Sequence, residues 1–279
     1  MQDADIAISG IKLHYLDWNP VSSKSVVLIH GLTANSHEFV KLGDHLSHEG
    51  FHVIAPDLRG RGMSSKPAHG YGIAFHAADL ISLFDSLSLD KVSIVGHSLG
   101  GLIGLYMAAL FPERVSKFIM VDIGVRLPSD TLAAISASLN RLGQEFPSLD
   151  AYLELCKRMP YFTWNNFWEG FYRYDADVRA DGTVISRVPK SAIQEENATN
   201  ATINAELILP LVRAPTLILR ATEGMLGPAK GLLLPREEAS RLAVLIKNSQ
   251  IREIPKTNHY TIVISEDFER EVSSFVQDS

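Results

Sequence analysis

The 279-residue sequence predicts an α/β fold: a mostly parallel, doubly wound sheet covered by helices, with a helical insertion late in the chain. Three observations carry this. Short β-branched apolar runs alternate with helix-period patterns, as expected of strands buried on both faces and crossed over by helices. The alternation breaks between about residues 126 and 209, where helical patterns follow one another without a buried strand. Third, Gly96-His97-Ser98-Leu99-Gly100 joins the apolar run Val92–Val95 to a long apolar helix pattern, Gly101–Phe111, which Pro112 stops. Strand, G-x-S-x-G and helix in that order form a nucleophile elbow. Its tight turn strains the backbone at Ser98, and a side chain at position 96 or 100 would collide with a neighbouring element.

The elements follow in chain order. Asp5–Ile8 and Ile11–Tyr15 form an antiparallel hairpin at the sheet edge, and Ser25–Ile29 is a buried strand. His37–Glu49 is a helix with Phe39, Leu42 and Leu46 inward, and Phe51–Ala55 is the next strand. Phe75–Leu87 is a helix burying Ala78, Ile81, Leu83 and Phe84; Lys117–Val121 is the strand after the elbow helix. Within the insertion, Leu132, Ile135, Leu139 and Leu142 mark one amphipathic helix, with Ser129 or Asp130 as its cap. Trp164, Phe167, Trp168, Phe171 and Tyr172 mark another, and Asp181-Gly182 is a turn. Pro215–Leu219 and Gln250–Ile254 complete the sheet. The chain therefore divides into a core, residues 1–125 and 210–279, and an inserted segment, 126–209.

Composition limits the partners. Net charge is −6 with no long block of one sign, so there is no electrostatic footprint for nucleic acid. The single cysteine, Cys156, excludes an internal disulfide framework and fits a reducing compartment. The first residues are acidic, without the apolar core of a signal peptide, and no run approaches a membrane span. The expectation is a cytoplasmic protein acting on a small molecule. No phosphate or dinucleotide fingerprint appears, so no cofactor is implied.

A serine hydroxyl barely ionises at neutral pH, so Ser98 needs a base. Among ten histidines, His259 follows the last strand and leaves the carboxyl edge of the sheet, the edge that carries the elbow. The base needs an anion to fix its tautomer. Asp122, ending the strand after the elbow helix, and Glu223, just beyond the penultimate strand, both point to that edge. Oxyanion donors are expected from the N–H of Leu99, after the nucleophile, and of Leu32, in the loop after the first buried strand, where Gly31 permits close approach.

Other patterns carry less. His48-Glu49-Gly50-Phe51-His52 matches H-E-x-x-H, but that motif needs one continuous helix, and Gly50 ends the helix here. Asp57, Arg59, Gly60 and Gly62 form a packed, ion-paired turn. His97 packs sideways from the elbow, Cys156 is inert, and Arg126 and Arg173 are solvated charges rather than substrate ligands.

Together these residues resemble the α/β-hydrolase fold family along essentially the whole chain. Val27–Gly31 looks like its oxyanion strand and HG turn, Ala55–Ser64 like its D-x-R-G-x-G-x-S segment, Gly96–Gly100 like its elbow and Asn258-His259 like its terminal histidine. One departure bears on the acid. The commonest family pattern puts an Asp after the penultimate strand, where Gly224 stands here with Glu223 one residue early. A minority branch, including some dehalogenases and hydrolases of nitrogen-ring breakdown products, takes the acid from the preceding core strand. Asp122, 24 residues after Ser98 (122 − 98), fits that branch and is favoured over Glu223. The resemblance further implies that residues 126–209 form a lid and that some of its aromatics line an apolar pocket, with Trp164, Phe167 and Trp168 as candidates beside His30. It implies a serine hydrolase of small carboxylic esters. Cleavage of a C–C bond, a lactone or an amide by the same residues is the alternative, and a ligand sensor with a vestigial site is a further one.

Overall fold

The computed structural model of the chain describes residues 1–278, with the side chains of residues 132–134, 137 and 138 outside the description. Its strands are β1 (Gln2–Ile8), β2 (Ile11–Trp18), β3 (Ser25–Ile29), β4 (His52–Pro56), β5 (Val92–His97), β6 (Val115–Val121), β7 (Ala176–Val178), β8 (Val184–Ser186), β9 (Thr216–Ala221) and β10 (Ser249–Ile254). Its helices are α1 (Val40–His48), α2 (Ile73–Ser86), α3 (Leu99–Leu110), α4 (Ser129–Ser138), α5 (Leu149–Lys157), α6 (Asn166–Asp175), α7 (Lys190–Asn200), α8 (Arg236–Leu245) and α9 (Glu266–Gln277). Eight strands form one sheet in the order β1-β2-β4-β3-β5-β6-β9-β10. β1 and β2 pair antiparallel, as does β2 with β4; every pairing from β4 across to β10 is parallel.

The parallel strands are apolar on both faces because each face carries a helical layer. In β3, Val27 and Ile29 join α2, α3 and α8 on one side, while Val26 and Leu28 join α1 and α9 on the other. This two-residue alternation is the physical content of the buried runs in the sequence.

Several boundaries differ from the sequence expectation. Residues 37–49 are not one helix: a 3₁₀ turn, Ser36–Phe39, capped by the Asn35 side chain, precedes α1. α2 begins at Ile73 and buries Ala77 and Leu80, leaving Ala78 exposed. The segment 126–209 is not wholly helical, because β7 and β8 pair antiparallel around the Asp181-Gly182 turn. Asn165 caps α6 by accepting the Phe167 and Trp168 N–H groups, so Trp164 precedes that helix. Ile135 and Leu139 are half-buried and Leu142 is buried; the side chain of Leu132 lies outside the described residues. His48 ends α1 and His52 stands on β4, where its Nε2 lies 2.9 Å from Asp17, so the two histidines of the H-E-x-x-H match share no face.

The loop after β4 ties the core to α7. Asp57 accepts the N–H groups of Ser36 (2.7 Å) and Met63 (2.8 Å), and Arg59 grips Asp79 through two nitrogens, at 2.6 and 2.5 Å. Between them Arg61 is fully buried and pairs with Glu196 of α7, which also meets His76 Nε2 at 2.8 Å. Burial alone would raise the Glu196 pKa; Arg61 and His76 outweigh it and hold the carboxyl at about 2. A carboxylate with a depressed pKa stabilises the fold above its unfolded value and loses that contribution as pH falls toward the folded one. Stability is therefore expected to drop on acidification from about pH 5 toward pH 2. Glu196→Gln should flatten this slope and, by leaving Arg61 without its anion, cost on the order of 3–5 kcal/mol at neutral pH. Urea denaturation at a series of pH values checks both; equal slopes in the two proteins would refute the assignment.

Candidate active site

β5 and α3 meet at Ser98, whose backbone is left-handed, with φ 55°. Its N–H donates to the Val121 carbonyl at 3.1 Å, which anchors the turn to β6. Such a conformation is costly for a residue with a Cβ and persists only where the surroundings enforce it. Here they do. A Cβ on Gly96 would lie 2.1 Å from the Gly100 carbonyl oxygen, and one on Gly100 would lie 1.9 Å from that of Ile29. Both collisions are with backbone, so no rotamer change relieves them. Gly100→Ala is expected to destabilise the protein by more than about 4 kcal/mol, the range reached by severe overpacking and strain. Chemical denaturation measures this, and a loss under about 1 kcal/mol would show that β3 and α3 can separate.

His259 lies in the loop after β10. The Asn258 side chain holds that loop, accepting the Tyr260 and Thr261 N–H groups at 3.0 and 3.1 Å and donating to the Tyr161 carbonyl at 2.7 Å. His259 Nδ1 is 2.9 Å from Asp122 Oδ2, and the Ala221 N–H donates to Asp122 Oδ1 at 2.9 Å. Asp122 also has a left-handed backbone, φ 47°, turning its carboxylate off the end of β6. Glu223 is exposed beyond β9, its N–H bonded to the Thr257 carbonyl at 2.8 Å. Of the two candidate acids, the structure brings Asp122 to His259. Burial lowers the His259 pKa, the neighbouring His97 lowers it further, and the Asp122 contact opposes both only in part. The ring is thus a neutral acceptor at neutral pH.

Ser98 and His259 line one cavity of about 90 Å³, together with Leu32, Arg141, Trp168 and Met225. Among the described residues, the N–H groups of Leu32 and Leu99 donate to no protein acceptor. The peptides around Leu32 are held by side chains. The Gly31 N–H donates to Glu38 Oε2 at 3.1 Å, Arg61 Nε donates to the Leu32 carbonyl at 3.0 Å, and Arg141 Nη2 donates to the Thr33 carbonyl at 2.9 Å. His30 completes the set. Its Nε2 receives the Leu58 N–H at 3.1 Å, so the proton sits on Nδ1, which donates to the Gly31 carbonyl at 2.8 Å. The same peptide carries the Leu32 N–H. His30 therefore orients this loop with a fully buried ring and does not line the cavity.

Trp168 lines the cavity, whereas Trp164 and Phe167 do not; they pack around Trp168 and Tyr172 in the aromatic cluster of α5 and α6. Arg126 and Arg173 are surface residues paired with Glu206 and Glu169. The guanidinium in the cavity wall is that of Arg141, 3.3 Å from Asp175. Cys156 is buried, and burial pushes its thiol up to about 12, so it stays protonated. Sequence reasoning missed Arg141, Glu38, Met225 and Tyr260. Arg141, Glu38 and Met225 reach the cavity from segments with no chemical motif of their own, and Tyr260 adjoins the terminal histidine without being part of its signature.

The chain belongs to the alpha/beta hydrolase fold family, whose sequence pattern matches residues 24–264. It is 40% identical over 103 residues to an uncharacterized protein of Mycobacterium tuberculosis, covering 37% of this chain and 30% of that one. It is 33% identical over 135 residues to 2-(acetamidomethylene)succinate hydrolase of Mesorhizobium japonicum, 47% of this chain and 48% of that one. The chain thus spans less than half the length of these curated relatives. Over 99% of both chains it superposes on the crystal structure of E-2-(acetamidomethylene)succinate hydrolase, with a TM-score of 0.86 and 24% identity. Among the described residues no helix is long and apolar enough to cross a membrane.

Proposed function

We propose that the protein is a serine hydrolase of small carboxylic esters working through an acyl-enzyme. The observation that carries this reading is the 2.9 Å contact of buried Asp122 with Nδ1 of His259, whose ring shares a cavity wall with Ser98. Asp122 accepts the Nδ1 proton, which leaves Nε2 unprotonated and able to take the proton of Ser98. Ser98 Oγ attacks the ester carbonyl, and the negative oxygen is received by the Leu32 and Leu99 N–H groups, the latter at the positive end of α3. The imidazolium of His259 then protonates the leaving alcohol. Water, activated by the same imidazole, releases the acid and restores Ser98. No step calls for a cofactor.

Residues 126–209 act as a lid in this reading. The insertion contributes Ile135, Leu139, Arg141, Trp168, Phe171 and Tyr172 to the cavity wall, which excludes water and gives the acyl or alcohol group a mainly apolar seat. Relatives are named as hydrolases, one of them of 3-hydroxybutyrate oligomers and another of 2-(acetamidomethylene)succinate, so the family supports hydrolysis more firmly than it supports any one bond.

The test is a panel of p-nitrophenyl acetate, butyrate and benzoate beside a lactone and an anilide, followed by labelling with a fluorophosphonate. Fast ester turnover with a single label on Ser98 is expected. An unlabelled Ser98 and no ester turnover would overturn the proposal, and turnover of the anilide or lactone alone would replace the ester with that substrate.

A further inference from the structure

His97 ends β5, directly before Ser98, and the mechanism above does not use it. Its Nδ1 lies 3.0 Å from Glu38 Oε1, and the other carboxylate oxygen accepts the Gly31 N–H at 3.1 Å. Both side chains are buried, His97 at 3% and Glu38 at 7% exposure, in the wall of the Ser98 cavity. The His97 and His259 rings lie 4.4 Å apart between centroids, tilted by 37°. One carboxylate thus joins the loop before Leu32 to the residue before Ser98, whose ring packs on the ring of His259.

We propose that Glu38 and His97 are a positioning pair, in which the carboxylate sets the peptide entering the oxyanion loop and the His97 ring braces His259 and presents positive charge to it. This rests on the reading of Ser98 as nucleophile and His259 as base. The charges facing the pair come from each packed element. His97 meets Glu38 from the 3₁₀ turn, Asp122 from the end of β6 and His259 from the loop after β10; Glu38 also meets His30 at the end of β3. Arg141, the remaining cation in the wall, is engaged with Asp175. Burial alone would deprotonate His97 and protonate Glu38. Their mutual attraction outweighs both effects, so His97 is raised and Glu38 is lowered from their ordinary values. The positive end of this ion pair is the end against His259, and it disfavours a second positive ring there. The consequence for catalysis is that His259 stays available as a base at lower pH than its burial beside Asp122 alone would allow.

The experiment compares the wild type with Glu38→Gln, which keeps the shape and removes the charge. Histidine ¹⁵N NMR titration of the resting protein needs no substrate. In the wild type His97 should keep its second ring proton to higher pH than His259 keeps its own. In Glu38→Gln, His97 should give up its second proton at lower pH, and relief from its charge should raise the His259 titration by more than the loss of the Glu38 charge lowers it. Correspondingly, the acid limb of kcat/KM should move up by about one pH unit, with kcat reduced and KM little changed. His97→Gln should move the limb in the same direction and serves if Glu38→Gln fails to fold. A wild-type His97 that loses its second proton at no higher pH than His259, or an unmoved His259 titration and acid limb in the variants, overturns the pair. Absence of ester turnover in the wild type would strike the proposed function alone, since the NMR titration still decides the pair.

Discussion

Ser98→Ala is expected to lower kcat on p-nitrophenyl esters by about six orders of magnitude, the loss seen when a serine nucleophile is removed from an otherwise intact site. The expectation follows from the division of labour in the cavity. In the proposed mechanism the hydroxyl forms a bond only as the reaction proceeds, so its removal acts on the transition state, and KM should change little. The Leu32 and Leu99 N–H groups, the cavity wall and the His259–Asp122 contact all remain, so about 10³–10⁴-fold acceleration over water should survive. The substitution should leave the fold intact. Serine already holds φ 55° with a Cβ present, and alanine adds no atom to the turn. Steady-state kinetics and a circular dichroism spectrum therefore separate the outcomes cleanly. A folded Ser98→Ala protein within tenfold of the wild type would show that another group attacks, and the reading of the elbow would fail.

What the sequence made legible, it made legible for local reasons. The elbow can be read because two glycines, a serine and an adjoining strand and helix are all required within a few residues by one turn; the 1.9 and 2.1 Å to backbone oxygen that a Cβ on Gly100 or Gly96 would leave are that requirement in atoms. The parallel sheet can be read because burial on both faces leaves continuous apolar runs. Strands β7 and β8, three residues each, are too short for any such run, and only the Asp181-Gly182 turn between them left a trace. The aromatic helix α6 showed its buried face through its period, and Trp168, Phe171 and Tyr172 are indeed buried. Which of those rings meets the cavity depends on how α6 sits over the sheet, and periodicity carries no information about that. Glu38 illustrates the remaining limit. It stands 59 residues from His97, in a 3₁₀ turn with no motif, and its role exists only once β3 and β5 are side by side.

The identity of the acid is the point at which sequence left two residues open, and there the expected effects diverge most. Asp122→Asn should lower kcat by about 10⁴-fold near neutral pH, whereas Glu223→Gln should stay within a factor of about two, as a surface substitution away from any special feature does. The reason lies in the second oxygen of Asp122. The Ala221 N–H donates to Oδ1, and this buried donor keeps an acceptor only if the Asn amide oxygen takes that place. The amide NH₂ then faces His259 Nδ1, where Asp122 Oδ2 stood. A donor in that position requires Nδ1 to accept, which moves the imidazole proton to Nε2, the atom that receives the proton of Ser98 in the proposed mechanism. The variant would thus hold the base in the wrong tautomer with its geometry nearly unchanged. Kinetics of both variants, with the His259 tautomer read from ¹⁵N shifts, check the argument at two levels. If Glu223→Gln carried the large loss and Asp122→Asn kept activity within tenfold, the acid would have to reach His259 from β9, and the contact between Asp122 and His259 would be structural only.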